Sequence, residues 1–254
     1  MRLTVLGSSG SCGGPGRPAS GYLLSVPGEQ PVVMDFGPGV LGALQQHTDP
    51  NGVAIMLSHL HADHCLDLPG LMVWRRFAPV PATSRTRLIG PTGTGERIGA
   101  ASSEYPGQID DVNDTFTVHA WTQGTPVEVG GLTVTPTRVS HPPETYGLRV
   151  VAPSGKVLAY SGDTGVCDGL VSLARDADVF LCEASWTHDP ANRPPGLHLS
   201  GTEAGEMATA AGAKSLLLTH IPPWTDQDAI VAEASTTYSG PISVAVPGRA
   251  LDIV

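Results

Sequence analysis

The stretch Val53-Ala54-Ile55-Met56-Leu57-Ser58-His59-Leu60-His61-Ala62-Asp63-His64 decides how this chain reads. An apolar run empties into three imidazoles and one carboxylate. Both ligand types suit Zn²⁺ and its first-row neighbours. His59 and His61 share one side of an extended segment, because strand side chains repeat every two residues. Asp63 and His64 reach a second position only if the chain turns after Ala62. The spacing therefore predicts two adjacent metal sites, not one closed structural site. A His-rich patch of polar surface explains the cluster poorly, since the whole chain has only 9 His in 254 residues.

Working outward, the same pattern recurs. Short apolar runs at 3–6, 32–34, 157–160, 179–182 and 215–219 are near-continuous, as expected of strands buried on both faces. An alternating strand over 132–140 leads into His141, the run at 157–160 into Ser161-Gly162-Asp163, and Leu216-Leu217-Leu218-Thr219 into His220. Metal-type residues thus gather at strand C-termini, where loops converge on one rim. Helices are predicted over 40–46, 66–77, 169–175 and 202–211, the last capped by Ser200 or Thr202. Sheets covered by helices give an α/β layered domain. Without an internal repeat or a composition break, residues 1–254 read as one domain.

Composition narrows the function. The net charge is −10, and Lys156 and Lys214 are the only lysines. Nucleic-acid surfaces need Lys and Arg against several phosphates, so a large polyanionic partner is not expected. No apolar run approaches the roughly 20 residues needed to span a bilayer. The run Met1–Leu6 is too brief for a signal-peptide core, so no membrane association and a cytoplasmic location are expected. Cys12, Cys65, Cys167 and Cys182 form no Cys-x-x-Cys pair and read as reduced thiols. The loop Gly7-Ser8-Ser9-Gly10-Ser11-Cys12-Gly13-Gly14 lacks both the P-loop ending and the dinucleotide spacing, and reads as a flexible loop.

His59-x-His61-x-Asp63-His64, His141, Gly162-Asp163-Thr164 and His220, in that order, resemble the metallo-β-lactamase superfamily in its dinuclear hydrolase branch. The resemblance covers nearly the whole chain. It implies an αββα sandwich with a dinuclear metal site at one edge of the two sheets. By that resemblance His59, His61 and His141 hold one divalent ion, Asp63, His64 and His220 hold the second, and Asp163 bridges them. Zn²⁺ is the first expectation, and the same ligand set accepts Mn²⁺ or Fe²⁺.

The segment Leu197-His198-Leu199-Ser200-Gly201-Thr202-Glu203 resembles the phosphodiesterase branch that includes ribonuclease Z. There the histidine at the position of His198 acts on the phosphate and as proton donor. Glu183, in Cys182-Glu183-Ala184-Ser185, would orient His198, although relatives carry His and Thr where this chain has Cys182 and Ser185. Asp63 would also orient the attacking water. Ribonuclease Z enzymes carry a long substrate arm between the residues matching His141 and Asp163, and an interval of only 22 positions leaves no room for one here.

Stretches 57–77, 159–167, 180–188, 197–206 and 216–226 resemble the atypical cyclic-nucleotide phosphodiesterases of actinobacteria. That implies hydrolysis of a small anionic phosphodiester, cAMP first, to the 5′-monophosphate by a hydroxide held between the metals. It also implies a homodimer. An RNA 3′-end nuclease, a glyoxalase-II-like thioesterase and a non-catalytic metal-binding sensor are the alternatives. Trp186 and Trp224 are open between core packing and stacking on a purine. Arg75-Arg76 reads as a solvated face or a subunit contact.

Overall fold

The apolar runs become strands covered on both sides. The computed structural model describes residues 1–189, 191, 193, 194 and 196–254. Its first sheet contains β1 (Arg2–Gly7), β2 (Gly21–Ser25), β3 (Val32–Met34), β4 (Ala54–Met56), β5 (Thr86–Gly90), β6 (Phe116–Ala120) and, at the opposite edge, the last strand, β14 (Ala250–Asp252). The second contains β7 (Val127–Val129), β8 (Leu132–Arg138), β9 (Tyr146–Val151), β10 (Val157–Tyr160), β11 (Val179–Glu183), β12 (Leu216–Thr219) and β13 (Ile242–Val244). The predicted strands lie within a residue or two of the observed ones.

Side-chain alternation assigns the layers. Met34, Met56, Leu158, Tyr160, Leu181 and Leu217 point between the sheets and form one core. Their chain neighbours Val33, Ile55 and Leu57 face the outside of the first sheet, against α1 (Val40–Leu44), α3 (Leu68–Phe77) and α4 (Thr94–Ser102). Ala159, Phe180, Leu216 and Leu218 face out of the second, against α5 (Asp168–Ala174), α6 (Gly201–Ala211) and α7 (Gln227–Thr237). Two sheets between two helical layers make an αββα sandwich, as the resemblance implied. A strand with apolar contacts on both faces has no polar side to alternate, hence the continuous runs.

The helix predicted over 66–77 is observed as α3, beginning two residues later, and a separate short helix precedes it. α2 (Ala62–Cys65) carries Asp63 and His64, and α3 begins after Leu66 and Asp67. Pro69 fits the first turn of α3, where its missing N–H costs nothing. α6 opens with a full capping box: the Ser200 hydroxyl accepts from Glu203 N–H, and Glu203 accepts from Ser200 N–H. It ends at Gly212 with φ 65°, a left-handed position that suits glycine.

Direction places the rim. β3 and β4 run parallel, as do β10, β11 and β12. β8 and β10 each run antiparallel to β9, so they share a direction. The C-terminal ends of these strands deliver Asp35, His59, His141, Asp163, Glu183 and His220. The two rims are tied by Tyr160 OH donating to Asp35 Oδ2 at 2.6 Å and Tyr146 N–H donating to Ser58 O at 3.0 Å.

Candidate metal centre

The residues singled out in the sequence converge at this rim. The turn expected after Ala62 is α2, whose N-cap is His61. It swings Asp63 and His64 away from the segment carrying His59 and His61. Two four-residue groups result: His59, His61, His141 and Asp163, and Asp63, His64, Asp163 and His220, with the ligand atoms of each within 4.8 Å of one another. Asp163 belongs to both.

The contacts are those of donor atoms facing a common point. His141 Nε2 lies 3.2 Å from His61 Nδ1, and His64 Nε2 lies 3.2 Å from His220 Nε2. Asp63 Oδ2 is 3.1 Å from His220 Nε2 and 3.4 Å from His64 Nε2. Asp163 Oδ1 is 3.2 Å from His64 Nε2, while its Oδ2 is 3.3 Å from His220 Nε2 and 3.6 Å from His59 Nε2.

The outer nitrogen of four of the five imidazoles, those of His59, His64, His141 and His220, is spoken for, which orients the ring. Ser58 Oγ donates to Asp35 Oδ2 at 2.8 Å, so its lone pair accepts from His59 Nδ1 at 3.0 Å. His64 Nδ1 donates to Asp35 Oδ2 at 2.8 Å, and His141 Nδ1 to Leu197 O at 3.0 Å. His220 Nδ1 is 2.9 Å from Ser185 Oγ. In each case the Nε2 lone pair is left facing inward.

Electrostatics agrees. Burial, reinforced by neighbouring His64, holds His59 well below the usual imidazole range, and burial also lowers His61 and His141. Burial would raise Asp163, but His220, His64 and His59 outweigh it and keep it ionised; His64 and His220 do the same for Asp63. His64 is buried, yet Asp163, Asp63 and Asp35 hold its pKa up. Buried His59 Nε2 and Asp163 Oδ1 have no hydrogen-bond partner. Neutral His59, His61 and His141, ionised carboxylates and orphaned inward atoms fit divalent cations, and a cation at the second group would displace the proton from His64.

Sequence reading missed Asp35. Wholly buried, it accepts from Ser58 N–H (2.7 Å), Ser58 Oγ, His64 Nδ1 and Tyr160 OH. Asp35→Ala should cost roughly 3–5 kcal/mol of unfolding free energy, because it leaves buried donors without an acceptor. A denaturant midpoint equivalent to under about 1 kcal/mol of loss would contradict that role.

Beside both groups, His198 is 8% exposed and its Nδ1 is 2.9 Å from Glu183 Oε1. Glu183 Oε1 also accepts from Thr164 N–H at 2.6 Å, and Ser185 Oγ donates to Oε2. Burial lowers His198, but Glu183 dominates and pushes it up to about 9. Its ring lies 5.3 Å from that of His141 and 5.2 Å from that of His220.

Three other readings change. Arg75 is buried and donates to Asn51 O and Ser84 O, while Arg76 pairs with Asp110 and Asp114. The pair ties α3 to its neighbouring loops and is not a solvated face. The glycine-rich loop is buried over Ser8–Gly10, and a Cβ on Gly10 would lie 2.1 Å from His220 O. This half of the loop is packed against the site and is not free. Trp224 is 66% exposed and so is no core residue. Cys65 is buried, and its thiol lies 3.6 Å from Leu60 O.

Comparison with known proteins adds to the geometry. Residues 31–221 match the family described as the beta-lactamase superfamily domain. An uncharacterized protein of Mycobacterium leprae (strain TN) is 58% identical over 253 residues, 100% of this chain and 89% of that one. The probable metallo-hydrolase YhfI of Bacillus subtilis (strain 168) is 28% identical, with 98% of each chain covered. Its crystal structure matches with a TM-score of 0.85 at 25% identity, again over 98% of both chains. Ribonuclease Z of Mycobacterium bovis (strain BCG / Pasteur 1173P2) is 29% identical, over 96% of this chain and 95% of the other.

Proposed function

The chain belongs to the metallo-β-lactamase superfamily, among its YhfI-like and ribonuclease Z-like members, and from that premise we propose that it is a metal-dependent phosphodiesterase hydrolysing 3′,5′-cyclic nucleotides. The observation that carries the reading is the His198–Glu183 pair standing beside two ligand groups that share Asp163. His59, His61, His141, Asp63, His64, His220 and Asp163 are the residues that would hold two divalent cations. When bound, such a pair supplies an activated water and neutralises charge on the phosphate.

The chain's own residues do the rest. Asp63, ionised at the mouth of the second group, orients the attacking water. Glu183 holds the His198 proton on Nδ1 and keeps the ring cationic at neutral pH, leaving Nε2–H to face the substrate. His198 then stabilises charge on the phosphate oxygens and gives a proton to the departing 3′-oxygen. Its raised pKa matches that task, because a proton donor has to hold its proton until the bond breaks.

The similarity to a ribonuclease Z favours a second reading, action on RNA 3′ ends. Two features weigh against it. Between His141 and Asp163 the chain forms only β9, β10 and their connections, with no protruding arm. The net charge of −10 also repels a long polyanion. Assay of the Zn²⁺- or Mn²⁺-loaded protein against cAMP, precursor transfer RNA and a glutathione thioester separates the readings. Turnover of cAMP exceeding the others by at least about a hundredfold in kcat/KM is expected. Brisk cleavage of the RNA with none of cAMP would overturn the proposal.

A further inference from the structure

Beyond His198 lies a small cavity that the reaction as described does not use. It has a volume of about 220 Å³ and is lined by Trp186, Thr187, Trp224, Thr225 and Asp226. Trp186 meets His198 edge to face, with ring centroids 5.6 Å apart, so the cavity begins one ring outward from the ligand groups. Two indoles border it, and one of them, Trp224, is 66% exposed. An indole left in water at the mouth of a cleft has apolar area to gain from a flat partner.

We infer that this slot holds the nucleobase of the substrate, with Trp224 as the stacking wall and Trp186 as the floor. The inference rests on the cyclic-nucleotide reading of the neighbouring centre. Size supports it: pockets for drug-sized ligands run to roughly 300–1,000 Å³, so this one suits a single ring system and no oligonucleotide. Position supports it too, since in a 3′,5′-cyclic nucleotide one ribose separates phosphate from base. With the phosphate at His198, the base reaches the next ring outward.

Asp226 refines the choice of base. Its Oδ1 caps α7 by accepting from Asp228 N–H at 2.9 Å and Ala229 N–H at 3.4 Å. The other oxygen offers the slot an acceptor, complementary to the exocyclic amino group of adenine and mismatched to the carbonyl of hypoxanthine. Backbone connectivity links this device to the centre: Trp224 and Asp226 follow His220 on the same loop, and Thr225 Oγ1 donates to Ser185 O at 3.2 Å.

The test is binding of 5′-AMP to the metal-loaded protein, followed by calorimetry and quenching of indole fluorescence. Trp224→Ala should weaken AMP at least about fivefold, the lower end of base–aromatic stacking, and Trp224→Phe should restore most of it. In turnover, Trp224→Ala should lower the preference for cAMP over an abasic ribose 3′,5′-cyclic phosphate by a similar factor, mainly through KM. Asp226→Asn keeps the cap and should narrow the preference of cAMP over cyclic IMP. Wild-type AMP affinity in Trp224→Ala overturns the slot whatever the hydrolysis assay gives. Trp224-dependent AMP binding by a protein that hydrolyses no cyclic nucleotide upholds the slot and sinks the catalytic reading instead.

Discussion

Replacing Asp163 by Ala should abolish metal retention in both ligand groups together and lower kcat/KM by about 10⁴-fold or more, roughly 5 kcal/mol of transition-state stabilisation. Among the described residues no other side chain belongs to both groups. Its two oxygens face His64 on one side and His59 and His220 on the other. The loss should therefore be joint, whereas His141→Ala touches the first group alone. Elemental analysis after gel filtration reads metal per chain, and circular dichroism checks that the sandwich persists. Full occupancy in Asp163→Ala would remove the premise of a shared carboxylate. Asp163→Asn keeps the shape but not the charge, so it should bind metal more weakly than wild type and better than Ala.

His198→Ala should lower kcat on cAMP by about 10²–10⁴-fold, the range for a lost general acid, with metal content unchanged. Leaving-group chemistry makes the test sharper. A 3′-alkoxide needs a proton as it departs, but p-nitrophenolate does not. On bis(p-nitrophenyl) phosphate the same variant should therefore lose far less, within about tenfold. Equal losses on both substrates would assign His198 to phosphate binding only. Glu183→Gln leaves a weaker acceptor for Nδ1–H and removes the charge that holds the ring cationic. An intermediate loss of about 10–100-fold is expected, again concentrated on the poor leaving group.

The ligand groups were legible because each member follows an apolar run, and a run that ends in a charged or imidazole residue marks a strand tip. Asp35 follows β3 in the same way, yet nothing nearby in the sequence marks it. Its partners Ser58, His64 and Tyr160 come from three other segments, and its own φ is 58°, an uncommon left-handed conformation for a non-glycine. Only the folded rim makes it a hub. α4 and α7 escaped for a different reason. The segment Thr94–Ser102 carries two glycines, and α7 buries only Ile230 and Ala234. Both helices lack the repeating apolar stripe that announces itself in sequence and depend on the sheets behind them. Edge strands β13 and β14 are only three residues long, the first half-buried and the second exposed, so they leave no periodic signal.

The assembly of each ligand group from distant strand tips bears on how the chain matures. Within its group Asp63 must wait for His220, and His59 must wait for Asp163. Both sheets have to close before either set is complete. During synthesis, where the N-terminal part emerges first, the His59–His64 segment is exposed long before its counterparts exist. A nascent chain ending before β12 has every residue of the first group but lacks His220, so its second group stays incomplete. The second group is therefore completed late, with the folding of the last third of the sequence. A product clipped before β12 would lack His220 and with it the second ligand group.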